Sequence, residues 1–170
     1  ATSGNFETLK LILQLYPESE RLQAARKQDH LRWTALHRAA NSGNLECINA
    51  ILSLYPVSER AQAVNMQDRE KTNVLQCAAR SGQFESFNAI LNLYPESERL
   101  QILSMTNRYG DTVLHCVAHS NEVECIKAII CLFPESKRLE ALNSQNRYGK
   151  TALTTMEPET RDSVMAWLSV

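Results

Sequence analysis

The chain has 170 residues, with 18 basic and 19 acidic side chains, a net charge of −1 and 44% apolar residues. That length and apolar content suit one compact domain or one short array. The charge balance excludes an acidic disordered chain and a strongly basic nucleic-acid binder. No apolar run approaches the ~18 residues that span a bilayer. Ala1 to Asn5 lacks the basic and apolar regions of a signal peptide. Five cysteines with no C-x-x-C pair argue against a disulfide framework or zinc knuckle, and for reduced thiols in a cytosol-like compartment.

In chain order, an apolar-periodic helix precedes Leu15-Tyr16-Pro17, and the phrase Glu18-Ser19-Glu20-Arg21-Leu22 follows it. The same phrase returns at Pro56, Pro95 and Pro134, each 39 residues after the last. A fixed period of this size predicts stacked repeats. Within residues 30–68, Thr34 is the expected N-cap of a short helix through Ala40, and Gly43 its left-handed end. Asn44 then caps a second helix that buries Leu45, Ile48, Ile51, Leu52 and Tyr55 on one face. Pro56 ends that helix and starts a third over Ser58 to Val64, and Asn65 to Asp68 begins an extended turn. Tyr16, Tyr55, Tyr94 and Phe133 share one register and are expected to seal each unit on the next. Glu18 with Arg21, or Glu96 with Arg99, has the i, i+3 spacing of a helical ion pair.

Thr34-Ala35-Leu36-His37-Arg38-Ala39-Ala40-Asn41-Ser42-Gly43-Asn44 resembles the T-P-L-H-x-A-A-x-x-G-H phrase of the ankyrin repeat family. Thr112 to Ala118 repeats it, and Asn73 to Ala79 is a weaker copy. The resemblance implies an all-α ankyrin solenoid of helix–turn–helix units with extended finger turns. The insertion P-E-S-E-R adds a short helix to the usual unit of about 33 residues. Units of this length resemble those of effector proteins that bacterial pathogens place in host cells, which implies a cytoplasmic or host-cytosolic site of action. The array divides into a partial repeat 1–28, repeats 29–67, 68–106 and 107–145, and a capping repeat 146–170. In the last, Thr154 replaces the motif His and Arg161, Asp162 and Ser163 give a polar outer side. The reading expects an array end there and a parent protein extending before Ala1.

The sequence predicts no catalysis, cofactor or metal. His115 and His119 have the i, i+4 spacing of a zinc pair, but no acidic base lies between them, and the resemblance makes His115 a structural residue beside the turn. All five cysteines read as small buried hydrophobes without a base to activate them. No phosphate loop, G-x-S-x-G or paired-carboxylate motif appears.

Positions that vary between units yet share a face are free for recognition. The resemblance places these on the finger tips and the exposed side of the first helix. One row is His30, Arg69, Arg108 and Arg147, and the next is Leu31, Glu70, Tyr109 and Tyr148. A third is Trp33, Thr72, Asp111 and Lys150, with Asn41, Arg80 and His119 on the helix. Trp, Tyr and Arg dominate interface hot spots, and Arg pairs well with carboxylates. The expected partner is a protein with an acidic peptide or surface patch, not nucleic acid or membrane. The alternative is the substrate-recruiting arm of an enzyme whose catalytic domain lies outside these residues. Arg32 and Lys71 stand where Gly110 and Gly149 mark the finger turn, so the first two turns are expected to be altered.

Overall fold

A computed structural model describes residues 3–169, with side chains from Phe6 onward. Its helices fall in a repeating order. The first pair is α1 (Ser3–Gln14) and α2 (Glu18–Arg26). Three triplets follow: α3 (Ala35–Asn41), α4 (Leu45–Ser53) and α5 (Val57–Asn65); α6 (Val74–Ser81), α7 (Phe84–Leu91) and α8 (Glu96–Ser104); α9 (Val113–Ala118), α10 (Val123–Cys131) and α11 (Glu135–Asn143). The last pair is α12 (Ala152–Thr155) and α13 (Pro158–Leu168). Like elements stack on like: α3 on α6, α6 on α9 and α9 on α12, with α1, α4, α7, α10 and α13 in a second layer. The architecture is an all-helical solenoid.

The small residues of the first helix in each triplet permit this close stacking. Ala40, Ala78, Ala79 and Ala118 are fully buried beside Leu36, Leu75 and Leu114. The second helices contribute Ile48, Phe87, Ile90, Ile126, Ile129 and Ile130 to the same continuous core. Each such large apolar side chain contributes ~1.5–3 kcal/mol relative to exposure. Helix starts follow the sequence: the Asn44 side chain accepts the Cys47 N–H at 2.9 Å, and Gly43 takes φ +65. Pro17, Pro56, Pro95 and Pro134 are each the N-cap of a short helix, one position before its first helical residue. Tyr55, Tyr94 and Phe133 are buried between units, whereas Tyr16, at the first pair, is 36% exposed.

Two expectations are corrected. The arginine of the repeated phrase makes no ion pair with the glutamate three residues before it. Instead Arg21, Arg60, Arg99 and Arg138 each donate Nε–H to the carbonyl five residues back, that of Tyr16, Tyr55, Tyr94 and Phe133, at 3.3–3.4 Å. The phrase therefore turns a guanidinium back onto the open carbonyl end of the preceding helix. Cysteine burial also holds for four only: Cys47, Cys77, Cys116 and Cys125 are buried, and Cys131 is exposed. Burial pushes the Cys77 and Cys116 thiols up to about 12, the reverse of what a nucleophile needs.

The final pair is joined to the unit before it through side-chain hydrogen bonds. The α9–α10 turn residue Asn121 accepts the Glu157 N–H through Oδ1 at 2.9 Å, fixing the α12–α13 corner. Thr154, at the motif His position, accepts the Thr151 N–H at 2.8 Å. A threonine completes this local capping box.

Candidate protein-interaction face

Four fingers, residues 29–33, 68–72, 107–111 and 146–150, are built by one device. The carboxylate or carboxamide oxygen of the first residue accepts two backbone N–H groups, from positions two and four residues on. Asp68 Oδ1 accepts those of Glu70 and Thr72 at 2.8 Å. Asp29, Asn107 and Asn146 do the same at 2.8–3.0 Å. The fourth position is left-handed in every finger: Arg32 φ +63, Lys71 φ +59, Gly110 φ +82 and Gly149 φ +71. The expectation of altered turns at Arg32 and Lys71 is therefore wrong. The two hydrogen bonds to a carboxylate, ~1.5–3 kcal/mol each, outweigh the ~1–2 kcal/mol of a non-glycine residue in that region.

Neighbouring fingers are joined through their backbones. Arg69, Arg108 and Arg147 donate N–H to the carbonyls of Leu31, Glu70 and Tyr109 at 2.7–3.0 Å. Beneath them, the third residue of each of α3, α6 and α9 ties the finger to its helix. His115 Nδ1 accepts the Thr112 N–H at 3.2 Å, which puts the proton on Nε2, and that group donates to the Lys150 carbonyl at 3.1 Å. Gln76 donates to the carbonyls of Met105 and Asp111 at 3.2 and 3.0 Å. His37 Nδ1 accepts the Thr34 N–H at 3.2 Å, and its buried Nε2–H faces the Met66 and Thr72 carbonyls without a well-formed bond. Both ring nitrogens of His115 are thus committed to backbone, so it is not poised as a metal ligand.

Of the expected recognition residues, His30, Leu31, Asn41, Arg69, Arg80, Arg108, Tyr109, His119, Arg147, Tyr148 and Lys150 are exposed. Trp33 and Glu70 are half-buried. Thr72 and Asp111 are buried, 9% and 8% exposed, though each still contributes to the lining of a groove on this face. Thr72 sits where its backbone closes the Asp68 turn. Asp111 accepts from the Asn146 amide at 2.7 Å and the Asn107 amide at 3.3 Å, so it ties two fingers together.

Most of the other side chains line two adjoining grooves. One of about 260 Å3 gathers Leu31, Trp33, Asn41, Arg69, Glu70, Arg80 and Tyr109. The next gathers Tyr109, His119, Tyr148 and Lys150, so Tyr109 is common to both. Tyr109 and Tyr148 stack with ring centroids 6.2 Å apart. His30, Arg108 and Arg147 line neither groove. The expected cation row is thereby split, and Arg108 faces Glu70 at 3.7 Å. The neighbouring Glu70 carboxylate raises the Tyr109 phenol above its usual range. Arg80, above His119, helps burial to lower that imidazole.

Trp33 is held on two sides. Its indole N–H donates to Asp68 Oδ2 at 2.9 Å, and the Arg38 guanidinium lies 4.5 Å over the ring. Arg38 in turn pairs with Asp29 at 2.6 Å and holds that carboxyl down at about 2. Asp29, Asp68, Asn107, Asn146 and Arg38 were missed as site residues. The 39-residue recurrence of Asp or Asn was the available signal for the first four; Arg38, replaced by cysteine at the next two copies, gave none.

The family model "Ankyrin repeats (3 copies)" matches residues 1–100, more than half of the chain. The chain belongs to the ankyrin repeat family. Ankyrin repeats are protein–protein interaction modules, generally without catalysis of their own. No curated protein matches the sequence. The stacked helices and fingers place the ankyrin architecture on residues beyond 100 as well, since the third and fourth fingers close by the same hydrogen bonds. Among the described residues no helix is long and apolar enough to cross a membrane.

Proposed function

We propose that this ankyrin array binds a partner protein through the groove between its fingers and first helices, and that the partner segment is extended and acidic. The carrying observation is the arrangement of Arg69 and Arg80 around one groove whose far wall is Tyr109, which stacks on Tyr148 in the adjoining groove. Among the described residues, neither guanidinium has a carboxylate within 4.0 Å, while Glu70 is already engaged by Arg108 and Tyr109. Two unpaired guanidiniums beside flat aromatic walls suit carboxylate side chains carried on an extended chain.

The fingers are closed by side-chain oxygens and joined by backbone bonds, so the surface is formed before binding and little ordering entropy opposes association. The 39-residue unit supports the further reading that the array is the host-targeting part of a bacterial effector. Titration of an acidic peptide by calorimetry tests the binding: Arg69→Ala with Arg80→Ala weakens it more than about tenfold, and raised salt weakens it as well. An affinity unchanged by that pair of substitutions refutes the proposal.

A further inference from the structure

The second of the two grooves differs from the first in its charge. It holds about 590 Å3 beside the third and fourth fingers, and Tyr109 is the wall it shares with the Arg69–Arg80 groove. Besides two tyrosines, its ionisable side chains are His119, Lys150 and Asp111. His119 and Lys150 are exposed, and among the described residues Lys150 has no carboxylate within 4.0 Å. Asp111 is buried, and its oxygens accept from the Asn146 and Asn107 amides at 2.7 and 3.3 Å. The carboxylate of Asp111 offsets the Lys150 charge, so the groove is neutral while His119 is neutral and turns positive when that imidazole takes a proton.

His119 follows α9 at the register that Arg80 holds one unit earlier and Asn41 two units earlier. Of these three side chains only an imidazole changes charge between about pH 5 and 8. The charged and titratable groups that face it are Arg80 from α6, Asp111 and Lys150 from the fingers, and His115 from its own helix. Burial, and after it Arg80, holds His119 below its ordinary 6.5, so the neutral form prevails at about pH 7. A carboxylate set between His119 and Lys150 acts the other way, because an opposite charge within about 4–6 Å favours the protonated ring.

We propose that this groove is a second carboxylate subsite for the partner segment, in which Lys150 and the imidazolium of His119 hold one acidic side chain and a proton is taken up as it docks. The subsite rests on the acidic-segment reading and adds a spacing and a pH response to it. Arg80 and His119 are one unit apart on stacked helices, whose axes lie about 8–10 Å apart. In an extended chain of polyproline II type, side chains three residues apart share one side at about 9 Å. The fitting segment therefore carries acidic residues at i and i+3. Its affinity rises as pH falls through the value that His119 takes in the complex, and levels off below the value it takes alone.

NMR titration of the labelled full chain with acetyl-Glu-Gln-Gln-Glu-amide, at about pH 7.5 and about pH 6.0, tests this. The expected result is binding about threefold or more tighter at the lower pH, with the His119 ring titrating at higher pH in the complex than alone. His119→Asn, which copies Asn41, abolishes that gain and keeps the affinity at the higher pH within about twofold. Lys150→Thr, which copies Thr72, weakens binding at both pH values. Binding that Arg69→Ala with Arg80→Ala weakens, yet that is equal at the two pH values, overturns the second subsite and leaves the first reading standing. A gain that survives His119→Asn, or an affinity indifferent to Lys150→Thr, does the same. No binding of this peptide at either pH overturns both.

Discussion

The Asp68 carboxylate joins two fingers of the array: Oδ1 closes its own turn, and Oδ2 accepts the indole N–H of Trp33, in the preceding finger, at 2.9 Å. Asn107 and Asn146 show that a carboxamide oxygen closes the same turn. Asp68→Asn therefore keeps the turn and loses the charged acceptor for Trp33, at about 1 kcal/mol of stability. Asp68→Ala loses both and costs several-fold more. Chemical denaturation orders the two variants, and Trp33 emission, read in a Trp167→Phe background, shifts red in both.

The four left-handed finger positions yield a graded set of substitutions. Lys71→Gly and Arg32→Gly relieve strain against a gain in unfolded-chain freedom, for a net stabilisation of about 0.5–1 kcal/mol each. Gly110→Ala and Gly149→Ala go the other way and differ from each other. A Cβ on Gly110 meets the Arg147 backbone nitrogen at 3.0 Å, whereas one on Gly149 meets nothing within 4 Å. Thermal melts place Gly110→Ala as the more damaging of the two.

Stability falls with acid through His37. Burial holds this imidazole below its ordinary 6.5, so at pH values just under 6.5 the unfolded chain binds the proton that the folded chain refuses. The stabilisation is full above that value and is lost as pH falls through the folded one. The proton would also enter at Nδ1, which accepts the Thr34 N–H. His37→Gln copies Gln76, whose Oε1 accepts the Asn73 N–H while Nε2 donates to two carbonyls. The variant keeps its stability at about pH 8 and makes the Tm profile less steep just below about pH 6.5.

The repeated arginine is a helix cap, and substitution separates it from an ion pair. Arg99→Ala removes the Nε–H donor from the Tyr94 carbonyl and costs about 1 kcal/mol. Glu96→Gln leaves that bond intact and changes urea midpoints little. Equal losses from both substitutions would restore the ion-pair account.

The period, the three-helix unit and the caps at Thr34, Gly43 and Asn44 were legible because each depends on neighbours in sequence. The arginine cap was not, because a proline corner brings Arg99 back to Tyr94, and i, i+3 spacing describes only a straight helix. The burial of Thr72 and Asp111 was not legible either, because Trp33 and Lys150 hold the same register and stay half-buried and exposed. Arg32 and Lys71 look incompatible with a left-handed turn until the two bonds to the preceding aspartate are counted. Cys131 was misread despite an available signal, since Ser53 and Asn92 hold the same register and are exposed too. The groove's exposed residues were identified by register, but their pairing, Glu70 with Arg108 and Tyr109, needed coordinates.

The central claim is that the groove walled by Arg69, Arg80 and Tyr109 holds an acidic extended segment. The most direct measurement is selection of peptides from a display library by the full chain, followed by calorimetry on the enriched sequences. The account predicts enrichment of Asp- and Glu-rich peptides whose affinity falls more than about tenfold in an Arg69→Ala, Arg80→Ala, Tyr109→Ala variant. Enriched peptides without acidic residues, or acidic peptides that bind the triple variant within about twofold of the parent, would contradict it.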